Sequence, residues 1–129
     1  METRRVLVDT SILIDYFRKK NKEKTYLWTL TNSDSKLCIS VLTEFEFFCG
    51  CSNGQRKNEA KELLSFFSKI VFTSNHCIRA SEIYIELRLK NQLIDIIDIL
   101  IAGVASFENI PLATLNQKHF SRINDLVII

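Results

Sequence analysis

The stretch Val6-Leu7-Val8-Asp9-Thr10-Ser11-Ile12-Leu13-Ile14-Asp15 decides the fold. Val6, Leu7 and Val8 are apolar β-formers in a row, the pattern of a strand buried on both faces. From Ile12 the spacing turns helical and continues to about residue 18. A strand that stops on a carboxylate and passes straight into a helix puts that carboxylate at the carboxyl edge of a parallel sheet. Open α/β folds bind their ligands at that edge. A carboxylate beside an apolar strand is costly unless a positive partner meets it. Asp9 therefore marks the place to which a cation or a basic group must come.

The same strand-to-helix unit recurs downstream. A second helix is expected over roughly 23–31, after which Asn32-Ser33-Asp34-Ser35 is a loop by composition. Leu37-Cys38-Ile39 is a short strand, and Ser40 can cap the aromatic helix that runs to Cys49. Residues 50–54 form a turn. The segment 58–69 is amphipathic, with Leu63, Leu64, Phe66 and Phe67 on its apolar side. A strand at 70–72, a long helix from Ser74 or Asn75 to about 90, and another helix over 96–107 follow. A strand at 111–114, a short helix over 117–123 and a last strand at 126–129 complete the pattern. This alternation predicts an α/β protein, one domain spanning residues 1–129. Its central parallel sheet has about four to five strands, with helices on both faces.

Composition bounds the function. The 129 residues suffice for a core without staples, and three Gly and one Pro argue against long loops. A net charge of +2 with 17 Lys and Arg permits a nucleic-acid partner without demanding one. No run of about 18 apolar residues exists, so no membrane-spanning helix is expected. The start Met1-Glu2-Thr3-Arg4-Arg5 is too short and acidic for a signal peptide, and a cytoplasmic protein is expected. Buried thiols are the simple reading of Cys38, Cys49, Cys51 and Cys77. A zinc site from Cys49, Cys51, Cys77 and His76 is the alternative, although no CxxC pair supports it.

Further acids stand where apolar residues dominate. Glu46 lies a turn inside the aromatic helix, three residues after Thr43. It either closes a capping box with Thr43 or points back over the sheet edge toward Asp9. Glu44 already offers the helix a solvated acid. Asp98 is the strongest anomaly, since it interrupts Ile94-Asp95-Ile96-Ile97-Asp98-Ile99-Leu100-Ile101-Ala102, a helix apolar nearly all round. Asp95 stands one turn earlier. Either Asp95 is an N-cap and Asp98 pairs with Arg79 or Arg88, or the stacked acids hold a cation. Carboxylates converging from Asp9, Glu46 and Asp98 are hard oxygen ligands that suit Mg²⁺ or Mn²⁺ rather than zinc. Thr114 and Asn116, at another strand end, can add a hydroxyl and an amide oxygen, although a plain N-cap is an equal reading of Asn116. His119 follows on a surface helix.

These motifs resemble the PIN-domain family of metal-dependent nucleases, and within it the VapC-type toxins of toxin–antitoxin pairs. Residues 6–15 look like its first motif and 39–50 like its second, with the family glutamate on Glu46 rather than Glu44. Asp98-Ile99-Leu100-Ile101-Ala102 matches the third, and Thr114-Leu115-Asn116-Gln117-Lys118-His119-Phe120 resembles the last. The resemblance implies a Mg²⁺- or Mn²⁺-dependent endoribonuclease, a homodimer, and an antitoxin that blocks the site. Carried over, Asp9, Glu46 and Asp98 bind metal and are catalytic, Asp95 is an auxiliary acid, and Thr10 or Ser11 positions Asp9 or the phosphate. The chain departs from the family where many members carry a further acid: Asn116 and His119 stand there, so a second metal would be held more weakly.

The expected reaction is hydrolysis of an RNA phosphodiester, the ion activating water and stabilising charge at phosphorus. Arg18, Lys19, Lys20, Lys22 and Lys24 form a basic run beyond the first helix, which either steers the RNA backbone or is a solvated helix end. Haloacid-dehalogenase-like phosphatases also begin with a strand ending in Asp. They need a second acid two residues later, where this chain has Ser11. A PIN-like binding module without catalysis is the remaining alternative, and an arginine neutralising Asp98 would favour it. The aromatics Phe45, Phe47, Phe48, Phe66 and Phe67 either fill the core or line a groove for a partner helix.

Overall fold

A computed structural model of the chain describes residues 4–129. The reading of the start as leaderless falls partly on residues 1–3, outside the described residues. Strand β1 (Arg4–Val8) leads into helix α1 (Thr10–Arg18), and a 3₁₀ turn (Lys22–Lys24) precedes α2 (Tyr26–Thr31). Then come β2 (Ser35–Ser40), α3 (Val41–Cys49), α4 (Gly54–Leu64), β3 (Ser68–Ile70), α5 (Ser74–Leu89), α6 (Ile96–Glu108), β4 (Leu112–Ala113) and α7 (Gln117–Phe120).

The sheet has four parallel strands in the order β3-β2-β1-β4. The chain steps outward from β1 to β2 and β3, then returns to lay β4 on the other side of β1. The gap at the carboxyl ends of β1 and β4 is thus the topological switch point, where connections leave in opposite directions. Asp9 sits there, its N–H bonded to the Ala113 carbonyl at 3.0 Å.

Side-chain alternation along the strands builds two cores. Leu7, Cys38 and Leu112 face α5 and α6, where Ala80, Ile83, Leu87, Ile99, Ile101 and Val104 pack on them. Val6, Val8, Ile39 and Ala113 face the opposite side, against Ile12, Leu13, Leu27, Leu30, Phe47 and Leu64. The helices on both faces follow from strands that are apolar on both faces.

Some boundaries differ from the sequence reading. The second helix starts at Tyr26, not near 23, because the Thr25 hydroxyl accepts the Trp28 N–H and caps it there. Helix α4 runs from Gly54 to Leu64 rather than over 58–69, because Asn53 caps it by accepting the Arg56 N–H at 2.8 Å. Its predicted apolar side loses Phe66, which is 80% exposed in the following turn, while Phe67 stays buried. The next strand moves forward to Ser68–Ile70, in register with Cys38–Ser40. The expected last strand at 126–129 is a single bridge between Leu112 and Ile128, since β4 offers it only the backbone groups of Leu112. No described helix is long and apolar enough to cross a membrane.

Candidate active site

The carboxylates of Asp9, Glu46 and Asp98 converge, each offering an oxygen within 4.8 Å of the others. They arrive from the end of β1, the second turn of α3 and the first turn of α6. Asp9 is 2% exposed, and Glu46 and Asp98 are half-buried.

Hydroxyls fix two of these acids. Ser11 Oγ donates to Asp9 Oδ2 at 2.8 Å, and Thr114 Oγ1 donates to the same oxygen at 2.7 Å. Each hydroxyl is itself aimed by a backbone N–H: Leu115 N–H donates to Ser11 Oγ at 3.0 Å and Asn116 N–H to Thr114 Oγ1 at 2.9 Å. With the hydroxyl protons committed to Oδ2, the second Asp9 oxygen is left for a ligand. Thr10 Oγ1 donates to Glu46 Oε1 at 2.7 Å, so Glu46 reaches over the sheet edge toward α1. The capping-box alternative is thereby corrected: Ser40, accepting the Leu42 N–H at 3.1 Å, caps α3, and Thr43 Oγ1 is buried without a partner. Glu44 pairs with Lys69 at 2.8 Å.

Among the described residues Asp98 has no such compensation. Arg79 is engaged with Ser106, Glu82 and Asp125, and Arg88 lies over the Tyr84 ring, so neither arginine neutralises it. Burial, and after it the charges of Asp9, Glu46 and Asp95, pushes the Asp98 carboxyl up from 3.8 to about 7. Asp95 stays exposed at the start of α6 and makes no side-chain cap bond. Three hard oxygen donors that raise one another's charge cost, with no described arginine pairing Asp98, form a donor set that would suit a divalent ion. A zinc site from the cysteines is not formed: the acids are the cluster of potential ligands among the described residues. Of the thiols read as buried, Cys38 lies in the core and Cys51 Sγ rests on the Phe47 and Arg56 carbonyls, whereas Cys49 and Cys77 are exposed; His76 Nδ1 accepts the Thr73 N–H at 3.0 Å.

The predicted basic run is divided. Lys22 Nζ donates to the carbonyls of Tyr16 and Phe17 and closes the end of α1, so it is not free for RNA. Lys19 pairs with Asp15 at 2.9 Å, while Arg18, Lys20 and Lys24 remain exposed. Asn116 and His119 are exposed as well, and Asn116 makes no side-chain cap bond. The sequence reading passed over Leu115, whose backbone belongs to the Asp9 network. Its signal was an apolar residue just past a strand end.

Residues 6–126 match the PIN domain family. The chain belongs to the PIN-domain family. Within it, this PIN-domain chain is 34% identical to Ribonuclease VapC1 of Methanocaldococcus jannaschii over 96% of its own length and 85% of that protein. Its fold superposes on VapBC2 of Rickettsia felis, solved bound to a DNA fragment from its promoter, with a TM-score of 0.80. That match has 25% identity and covers 97% of both chains. A toxin–antitoxin complex from Klebsiella pneumoniae matches with a TM-score of 0.73, 27% identity and 95% of both chains covered.

Proposed function

We propose that this PIN-domain chain is a Mg²⁺- or Mn²⁺-dependent endoribonuclease, the toxin of a toxin–antitoxin pair, acting in the cytoplasm. The convergence of Asp9, Glu46 and Asp98, with no compensating base among the described residues, carries the reading. The ribonuclease name of the M. jannaschii relative and the toxin–antitoxin complex from K. pneumoniae support the substrate and the partner. The inactive-module alternative would have been favoured by an arginine on Asp98, and no described arginine pairs with it.

Bound there, the ion would polarise a phosphoryl oxygen and lower the pKa of the attacking water. The protein's own residues do the positioning. Ser11 and Thr114 hold Asp9, Thr10 holds Glu46, and the sheet edge presents all of them to one point. An antitoxin helix suits the apolar cavity of about 440 Å³ lined by Leu27, Trp28, Leu37, Leu63 and Phe66. A homodimer is supported by Ile78, Ile85 and Leu89, an exposed stripe on one face of α5. The deciding experiment is digestion of a structured RNA pool with Mn²⁺ or with EDTA. Cutting is expected with Mn²⁺ alone, and equal cutting in EDTA would end the reading.

The Asp98 proton sets a pH dependence. An entering cation must displace it, so apparent Mn²⁺ affinity falls as pH drops below about 7. Calorimetric titration should show about tenfold tighter binding at pH 8 than at pH 6, since each pH unit below a ligand's pKa costs about tenfold. A flat profile would place Asp98 outside the metal site.

Thr114→Val tests the orientation of Asp9. It removes one of the two hydroxyls on Oδ2 and strips the Asn116 N–H of its acceptor. Such outer-shell partners are worth about 10- to 100-fold in metal affinity, and a loss of that size is expected by Mn²⁺ titration. Unchanged affinity would show that the backbone alone orients Asp9.

A further inference from the structure

A cavity of about 490 Å³ opens beside the acids, lined by Ser11, Ile14, Asp15, Arg18 and Lys19 of α1 and its end, with Leu115 and Asn116 opposite. Ser11, Ile14 and Arg18 stand at helical spacing, so one stripe of α1 forms a wall. Ser11 belongs to both places. It donates to Asp9 on one side and accepts the Leu115 N–H on the other. The Leu115 backbone is thereby tied to the acid site, yet its side chain is 51% exposed and serves no core.

Charge and polarity in the cavity are also uncommitted. Lys19 is neutralised by Asp15, whereas Arg18 makes no ion pair with a described residue. Arg18 also borders the small adjoining cavity that contains Glu46. The acids by themselves repel a phosphodiester. An unpaired guanidinium one cavity away is the group that can hold the chain on its approach, and its planar fork matches a phosphate. Asn116 carries a free amide, both donor and acceptor, the inventory that reads a base edge.

We propose that this cavity is a nucleotide subsite: it takes the RNA residue next to the scissile phosphate, with Arg18 on a phosphate and Leu115 against the base. The proposal rests on the ribonuclease reading above and names how its substrate is selected. One nucleotide supplies an anion, an apolar face and a polar edge in a single unit, the three features the cavity offers. Its volume lies within the range of about 300–1,000 Å³ typical of small-ligand sites. A protein partner would need an acidic and an apolar side chain in the same place.

The test sequences the ends left after digesting a randomised RNA pool with Mn²⁺ by wild type, Leu115→Ala and Arg18→Ala. Val71→Ala, which removes another exposed apolar side chain, is the control. Leu115→Ala is expected to reduce base preference at one position beside the cut by about fivefold or more, as expected for loss of a base contact. Arg18→Ala should slow all sequences alike and lower the salt slope of RNA binding by about 0.7, the share of one phosphate on a single strand. Val71→Ala should change neither. Asp98-dependent cutting with the same base distribution in Leu115→Ala would overturn the subsite alone. Weakened binding of the antitoxin with unchanged RNA selection would overturn it too, and give the cavity to the protein partner. Absence of any metal-dependent cutting by wild type would end both the ribonuclease reading and the subsite.

Discussion

Asp98→Asn is expected to cost about 10³-fold in RNA cleavage with Mn²⁺, because a metal site supplies several kcal/mol of transition-state stabilisation and each 1.36 kcal/mol is about tenfold in rate. Asn keeps the shape of Asp98 and removes one charge, so the loss isolates electrostatics from packing. Thermal stability should move the other way. In the metal-free protein the Asp98 carboxyl is pushed up to about 7, whereas the unfolded chain releases that proton near 3.8. Between those values the folded state holds a proton the unfolded state lacks. Stability therefore falls as pH rises through that window and is level above it. Asn cannot titrate, so Asp98→Asn in EDTA should melt above wild type at pH 8 and converge with it near pH 4. Paired melting curves and cleavage assays check both halves. A variant that cleaves normally would remove Asp98 from the chemistry. One that melts below wild type at pH 8 would show that the carboxylate is already paired with a group that welcomes its charge.

The acids were legible in the sequence because each violates its local pattern. Asp9 ends an apolar strand, and Asp98 interrupts a helix apolar nearly all round. An oxygen-rich charge in such places has few structural uses, so pattern and chemistry pointed the same way. Glu46 was ambiguous, since a glutamate three residues after a threonine is also a capping signature. Only the three-dimensional position of Thr10, on a helix 36 residues earlier, decides it. The basic run was legible as composition but not as function. Lys22 caps carbonyls and Lys19 meets Asp15, and neither fate follows from a row of like charges. The boundaries of α4 and β3 moved because one cap, Asn53, outweighed an apolar spacing that continued into Phe66 and Phe67. The aromatic cluster was divided in the same way. Phe47 and Phe67 entered the core, while Phe45 and Phe66 stayed 60% and 80% exposed, which no one-dimensional pattern separates.

The position of Asp98 depends on a residue with no chemistry at all. Gly103, in the middle of α6, faces Ala80 on α5 so closely that a Cβ there would lie 2.7 Å from Ala80 Cβ and 3.0 Å from its Cα and N. Its φ is not positive, so glycine is required by the close approach of two helices rather than by the backbone. Gly103→Ala sets two effects against each other. Helix propensity favours alanine by about 1 kcal/mol. Overpacking against a fixed backbone costs about 1–3 kcal/mol, and here the opposing atoms are main chain and Cβ, which cannot rotate away. Overpacking should win by up to about 2 kcal/mol, lowering the melting temperature by up to about 8 °C at this chain length. The damage should reach the site, because α6 carries Asp98 in its first turn. A shift of about 1 Å in a catalytic group can cost about 10²-fold in rate. Ala80→Gly reopens the space, so the double variant Gly103→Ala/Ala80→Gly should recover more activity than the single losses predict. That non-additivity is the signature of a direct contact. If Gly103→Ala melts above wild type and cleaves normally, α5 and α6 can separate freely. The geometry of the acid cluster would then be set by the sheet edge alone.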